Sequence, residues 1–299
     1  MKKVLQFLFL IFTVFVICKC SGLAASAEEY YTIGMAYFEL GKYEEAENWL
    51  NRARSADRTM TASQYNLGRL AFEMQRYEEA ADYFEEILKK DPDNILALKA
   101  AAYTRIKTGN IDIADRHYKR LLELVPESAD DGYNHALVLF AMGRFSDSEE
   151  VLERYELQML GNSEMQLLYA RVLNAQNKAE ALDSYASWLI NNKDAKVRNE
   201  YAQILESGEY YARALAEYRL ALSETAASGS FSTEIRFNIA RVLLIAESES
   251  GEGITVLQAI VNEGFNDLSA IEELLADERI SPVNKDSIRI IASNLKTDP

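Results

Sequence analysis

TASQYNLGRLAFEMQRYEEAADYFEEILKKDPDN, residues 61–94, reads as two amphipathic halves that meet at a polar corner. In the second half Tyr77, Ala80, Phe84 and Leu88 recur at helical spacing and share one face. Asp91 and Pro92 end that helix, because Pro lacks an amide donor and disfavours helical geometry in the residue before it. A single helix of this kind cannot cover its own apolar face. The fold therefore turns on what packs against it.

The rest of the chain supplies the answer at a shift of 34 residues. Gly34 then falls on Gly68, Ala102 and Ala136, and Tyr43 falls on Tyr77, Ile111 and Phe145. Ala46 aligns with Ala80, Ala114 and Ser148, and Leu50 with Phe84, Tyr118 and Leu152. Pro92 and Pro126 share a further column. Small, aromatic, small and bulky residues thus return in a fixed order at a fixed period.

This order and period resemble the tetratricopeptide repeat, whose signature is W-x2-L-G-x2-Y, then A-x3-F, then P. Residues 61–94 match it best, with Gln64 in place of Trp and Ala71-Phe72 where the motif has Tyr; the first unit carries Arg58 in place of the closing Pro. Units lie near 27–60, 61–94, 95–128, 129–162, 163–194, 195–228 and 233–264. The resemblance implies an all-α, right-handed α-solenoid of about seven helix pairs, spanning residues 28–264. Gly68 and Ala80 mark where the two helices of a pair cross closely. LGKY, TGNI and MGRF read as the corners within pairs. Residues 223–233 read as a loop, 246–253 as a lengthened turn, and 265–299 as C-terminal capping helices, apolar inside and polar outside.

The N-terminus follows another pattern. Lys2 and Lys3 precede the apolar run VLQFLFLIFTVFVIC, and Ala25 and Ala27 close the segment, as in a secretory leader cleaved after Ala27. Ile17 and Lys19, before Cys18 and Cys20, are not the small residue that lipid modification prefers, and Lys19 interrupts the run too early for a membrane anchor. The expected location is periplasmic or secreted, with the lipoprotein form disfavoured. Both cysteines lie in the leader, so an exported chain would be held by packing without disulfides.

The net charge of −15 speaks against nucleic acid and against direct binding to anionic membranes, since both begin with clustered Lys and Arg. No catalytic residue, metal site or cofactor is assigned. Only His117 and His135 are present, neither at metal-ligand spacing, and His135 sits at a core position of the repeat. No G-x-S-x-G, phosphate loop or dinucleotide fingerprint occurs. The carboxylate pairs Glu44-Glu45, Glu78-Glu79 and Glu85-Glu86 read as solvated helix faces. A hydrolase built on two of them is the weakest reading.

The resemblance places a binding groove on the first helix of each unit. Mapped onto this sequence, its wall is Tyr31, Met35 and Phe38, then Tyr65, Arg69 and Phe72, then Lys99, Tyr103 and Tyr133. Exposed Tyr suits peptide recognition, because it offers rigid contact area with little entropy to lose. Of the Lys and Asn positions used by chaperone-binding members of the family, only Asn66 is kept, so capture of a chaperone C-terminus is not expected. The implied function is a non-enzymatic adaptor of the bacterial cell envelope that holds a segment of another envelope protein. The alternative is a small-ligand or solute-binding component of a transport system, its pocket formed by the polar later units.

Overall fold

A computed structural model describes residues 26–226, 228–246 and 251–295. The expected leader up to residue 25, and residues 247–250 of the lengthened turn, lie outside the described residues. Every regular element among the described residues is helical. The chain divides into two compact units, 1–144 and 145–299, with the boundary between the two helices of the fourth repeat.

The first unit contains α1 (Ala27–Glu39), α2 (Tyr43–Ala56), α3 (Thr61–Glu73), α4 (Tyr77–Lys90), α5 (Ile95–Lys107), α6 (Ile111–Leu124) and α7 (Ala129–Ala141). The odd-numbered helices thus start at 27, 61, 95 and 129, one period apart. A capping box starts α1: Ser26 Oγ accepts from the Glu29 amide at 3.2 Å, and the Ser26 amide donates to Glu29 Oε2 at 2.7 Å. That box straddles the cleavage point expected from the leader. Asn94 caps α5 by accepting from the Ala97 amide.

The repeat columns become the core. Ala46, Leu50, Ala80, Phe84, Ala102, Ala114 and Tyr118 are all buried. α4 is covered by α3 of its own pair on one side and by α5 on the other, so the apolar face of residues 77–90 is closed by neighbours in sequence. A Cβ on Gly68 would lie 2.6 Å from Phe84 Cε1, which explains the small residue at the crossing. The corners need left-handed backbone, supplied by Gly41, Gly109 and Gly143 at φ near +70° and, in the second pair, by Gln75 at φ +59°. The aromatic column at Tyr43 and Tyr77 is only half-buried; these rings pack on Phe38 and Phe72 across each corner, at 5.8 and 5.1 Å.

The second unit contains α8 (Phe145–Glu153), α9 (Glu156–Met159), α10 (Ser163–Ala175), α11 (Glu180–Asn191), α12 (Ala195–Ser207), α13 (Tyr211–Ser223), α14 (Ser230–Ala246), α15 (Glu252–Asn262), α16 (Leu268–Ala276) and α17 (Pro282–Leu295). Three departures from the sequence reading stand out. The second helix of the fourth repeat is broken into α8 and α9 at the buried Tyr155. α14 begins at Ser230, inside the stretch expected to be loop, because Phe231 and Ser232 pack inward and draw that turn into the helix. The last two helices close the apolar side of α14 and α15 through Ile271, Leu274, Ile288 and Ile291, yet α17 also turns Val283 and Ile290 outward, so its outer face is not wholly polar.

Candidate functional site

The first helices of successive pairs carry the expected wall, and the structure joins part of it into one laced surface. Asn66 Nδ2 donates to the Tyr31 hydroxyl at 3.0 Å, tying α1 to α3. Arg69 Nη1 donates to Asn66 Oδ1 at 2.9 Å, and its guanidinium lies over the Phe38 ring, 5.0 Å from the centroid. The next link is aromatic: Phe72 and Tyr103 meet at 5.5 Å, joining α3 to α5. Lys107 Nζ stands 5.4 Å from the Tyr103 centroid. Arg69 and Tyr103 are exposed, with Tyr31, Met35, Phe38 and Phe72 half-buried beside them.

Other expected residues are committed elsewhere. Lys99 Nζ forms an ion pair with Asp131 Oδ2 at 2.7 Å, and Asp131 is itself buried and accepts from the Ser128 hydroxyl. The Lys99 charge thus compensates a carboxylate taken out of water. Tyr65 turns its ring onto Phe84 at 5.5 Å, since that large core ring needs cover on its α3 side. Tyr133 is half-buried on α7. Asn66 and Lys107 are absent from the expected wall: Asn66 links Tyr31 to Arg69, and Lys107 stands over Tyr103. Asn66 was visible as the lone survivor of the chaperone-binding pattern, whereas no sequence signal singled out Lys107.

The histidines have structural surroundings. His135 is buried, its Nε2 lies 2.7 Å from Asp115 Oδ1, and its ring stacks on Tyr118 at 6.2 Å. Burial pushes the Tyr118 phenol far up, reinforced by the Asp131 charge. His117 Nε2 lies 3.0 Å from Glu85 Oε1, and Arg105 Nε reaches the same oxygen at 3.3 Å. Glu85 is therefore not on a plain solvated face, as its pairing with Glu86 suggested. The His117 hydrogen bond, ahead of the opposing effect of burial, holds its carboxyl below the usual range. No group of three or more His, Cys, Asp or Glu placed to hold a metal ion occurs among the described residues.

In the second unit the polar positions of the first helices bond to one another. Arg171 grips Glu200 with Nε at 3.1 Å and Nη2 at 2.8 Å, and Glu200 also accepts from the Tyr185 hydroxyl. Glu206 accepts from Arg241 at 2.6 and 2.8 Å and from the Tyr218 hydroxyl at 2.8 Å. Asn199 donates to Glu234 at 3.2 Å and accepts from Asn238 at 3.3 Å. A depression of about 440 Å³ beside Tyr210, Arg213 and Val242 opens to solvent.

Sequence profiles described as tetratricopeptide repeat match residues 31–95 and 133–196, and a second such profile matches 71–130. Together they span more than half of the chain. The chain belongs to the tetratricopeptide repeat family. No curated protein matches this tetratricopeptide repeat chain at a significant level. Among solved structures it is similar to a tetratricopeptide repeat protein from Parabacteroides merdae, at 18% identity and a TM-score of 0.59, covering 84% of this chain and 97% of that one. It is also similar to MamA protein, at 17% identity and a TM-score of 0.52, over 55% of this chain and 90% of that one. MamA from Desulfovibrio magneticus RS-1 gives 15% and 0.51, over 55% and 93%. At these identities the likeness is one of fold. Family membership supports the coarse role of a protein–protein interaction scaffold.

Proposed function

We propose that this tetratricopeptide repeat protein is a non-enzymatic adaptor of the bacterial cell envelope, binding a segment of another envelope protein along α1, α3, α5 and α7. The observation that carries this reading is the laced surface Tyr31–Asn66–Arg69–Phe38, continued by Phe72, Tyr103 and Lys107. Its aromatic rings are rigid, and Arg69 is already oriented before a partner arrives. Both features reduce the ordering cost that binding must overcome. Met35 and Tyr133 belong to the expected wall as well, while Lys99 is paired with Asp131 and Tyr65 packs on Phe84. The leader pattern at residues 1–27 supports export to the envelope.

The solute-binding alternative requires an enclosed cavity from the sixth unit onward. The depression there is open, and the polar side chains of α12 and α14 are occupied by one another, which favours the segment-binding reading.

The test is crosslinked capture from an envelope fraction with the wild type and with Arg69→Ala/Tyr103→Ala. These two side chains are exposed, so the fold should persist by circular dichroism while capture of a specific partner falls. Undiminished capture would refute the surface assignment. Sequencing the N-terminus of the purified protein reads the leader separately; an intact Met1 would remove the argument for export.

A further inference from the structure

The break in the fourth repeat is followed by two outward-facing leucines. α8 stops at Glu153, the buried Tyr155 bridges the gap at φ −111° and ψ 28°, and α9 restarts at Glu156. Beyond the break lies an outward apolar face: Leu157 is 81% exposed and Leu160, three positions on, 73%. A contiguous exposed apolar patch, unlike apolar residues scattered singly, marks an interaction surface.

Next to them runs a cleft of about 470 Å³ between α9–α10 on one side and α11 on the other. Met159, Leu160, Tyr169 and Trp188 give it an apolar lining, and Glu180 and Asp183 form one wall. The Trp188 indole N–H donates to the Ser163 carbonyl at 2.7 Å, which fixes the ring in the floor. The charged side chains that line the cleft, Glu180 and Asp183, are both acidic. Glu153, Glu156, Glu180 and Asp183 enter no ion pair among the described residues, while Lys178 is paired with Glu149 and Arg154 with Glu150. The exception is Lys193, exposed just beyond the end of α11 and outside the cleft lining. Tyr169 registers the field. Its hydroxyl lies 3.3 Å from Glu153, and burial, followed by the charges of Glu153 and Glu149, pushes the phenol up to about 12.

We propose that this cleft docks a basic amphipathic helix of a partner protein, apolar residues seated on Leu157, Leu160 and Trp188 and Lys or Arg side chains facing Glu180 and Asp183. Charge complementarity selects this occupant. An apolar face framed by unpaired carboxylates repels acidic segments and attracts cationic ones, and a second copy of this chain, at net charge −15, would bring more acid to the same place. The surface lies in the second unit, on residues separate from the wall of α1, α3 and α5.

The protein carries its own reporter. It has two tryptophans, so Trp49→Phe in the full chain leaves Trp188, in the cleft floor, as the sole indole. The probes are a helical peptide of Leu and Lys in amphipathic order and its counterpart with Glu for every Lys. The expected result is a saturable change in Trp188 emission with the Lys peptide only, weakening as salt is raised beyond about 0.1 M, where the screening length falls below about 10 Å. Glu180→Lys/Asp183→Lys should weaken binding by about tenfold or more. Leu157→Ser/Leu160→Ser should abolish it; both residues are highly exposed, so this variant should retain the wild-type circular dichroism. Three results would overturn the proposal: equal response to the Glu peptide, unchanged affinity in the charge-reversed variant, or no Trp188 response. A dimer in sedimentation experiments that dissolves in Leu157→Ser/Leu160→Ser would overturn it too, by assigning the patch to a second copy.

Discussion

Gly68→Ala tests the packing logic of the repeat at its tightest crossing. An added Cβ would sit 2.6, 2.8 and 3.1 Å from Phe84 Cε1, Cζ and Cδ1, against an optimum near 3.5–4.0 Å for carbon pairs. The Phe84 ring must retreat by roughly 1 Å to restore that contact. It has little room, being 1% exposed and flanked by Tyr65 at 5.5 Å. Overpacking of this kind costs about 1–3 kcal/mol, and replacing Gly by Ala inside a helix returns about 0.5–1 kcal/mol. The net expectation is a loss of up to about 2.5 kcal/mol, centred near about 1 kcal/mol and read as a lower urea midpoint by far-UV circular dichroism. Phe84→Leu removes the obstructing ring, so its cost and that of Gly68→Ala should combine to at least about 1 kcal/mol less than their sum. Gly68→Ala proving more stable than the wild type, or simple additivity with Phe84→Leu, would refute the close-crossing argument.

Three further outcomes follow from the same reasoning. Lys99→Ala strands the buried Asp131 carboxylate and should cost about 1–2 kcal/mol in urea unfolding, discounted from a fully buried pair because Lys99 is 44% exposed; Lys99→Ala/Asp131→Asn should recover part of it. Gln75→Gly relieves a non-glycine residue held at φ +59° and should raise stability by up to about 1 kcal/mol, after the added entropy of the unfolded chain is subtracted. Glu85 has a folded-state pKa lowered from 4.5, so its contribution is fully present above that value and is lost as pH falls through the folded pKa; the stability gap between the wild type and Glu85→Gln should close on acidification below pH 4.5, and a gap that persists there would contradict the assignment.

Much of the architecture is legible in the order of residues along the chain. The columns at Gly34, Ala46 and Leu50 and their repeats are short-range statements: they say which residues share a helix face and which helix follows at what distance, and nearest-neighbour packing then builds the array. Gly68 could be assigned to a crossing for the same reason, since a side chain missing at a fixed place in a periodic pattern marks where two helices must approach closely. The groove was legible as a register, not as a surface. Register places Tyr65 and Lys99 beside Tyr103, but it carries no information about the partners each side chain finds one repeat away.

Those partners depend on distances between atoms 29 to 35 residues apart, as in Tyr31 with Asn66, Arg171 with Glu200, and Arg241 with Glu206. Two acidic residues on the same helix can end in opposite states: Glu78 is 71% exposed, while Glu85 is held between Arg105 and His117. The break at Tyr155 is of the same kind. Periodicity called for one continuous helix, whereas the chain breaks at the buried Tyr155, with Leu157 and Leu160 facing water just beyond it. Helical amphipathicity is a local property and survives translation along a sequence. Ion pairing, ring stacking and the exposure of a particular leucine arise where separate segments meet, and they take their values from the packed structure.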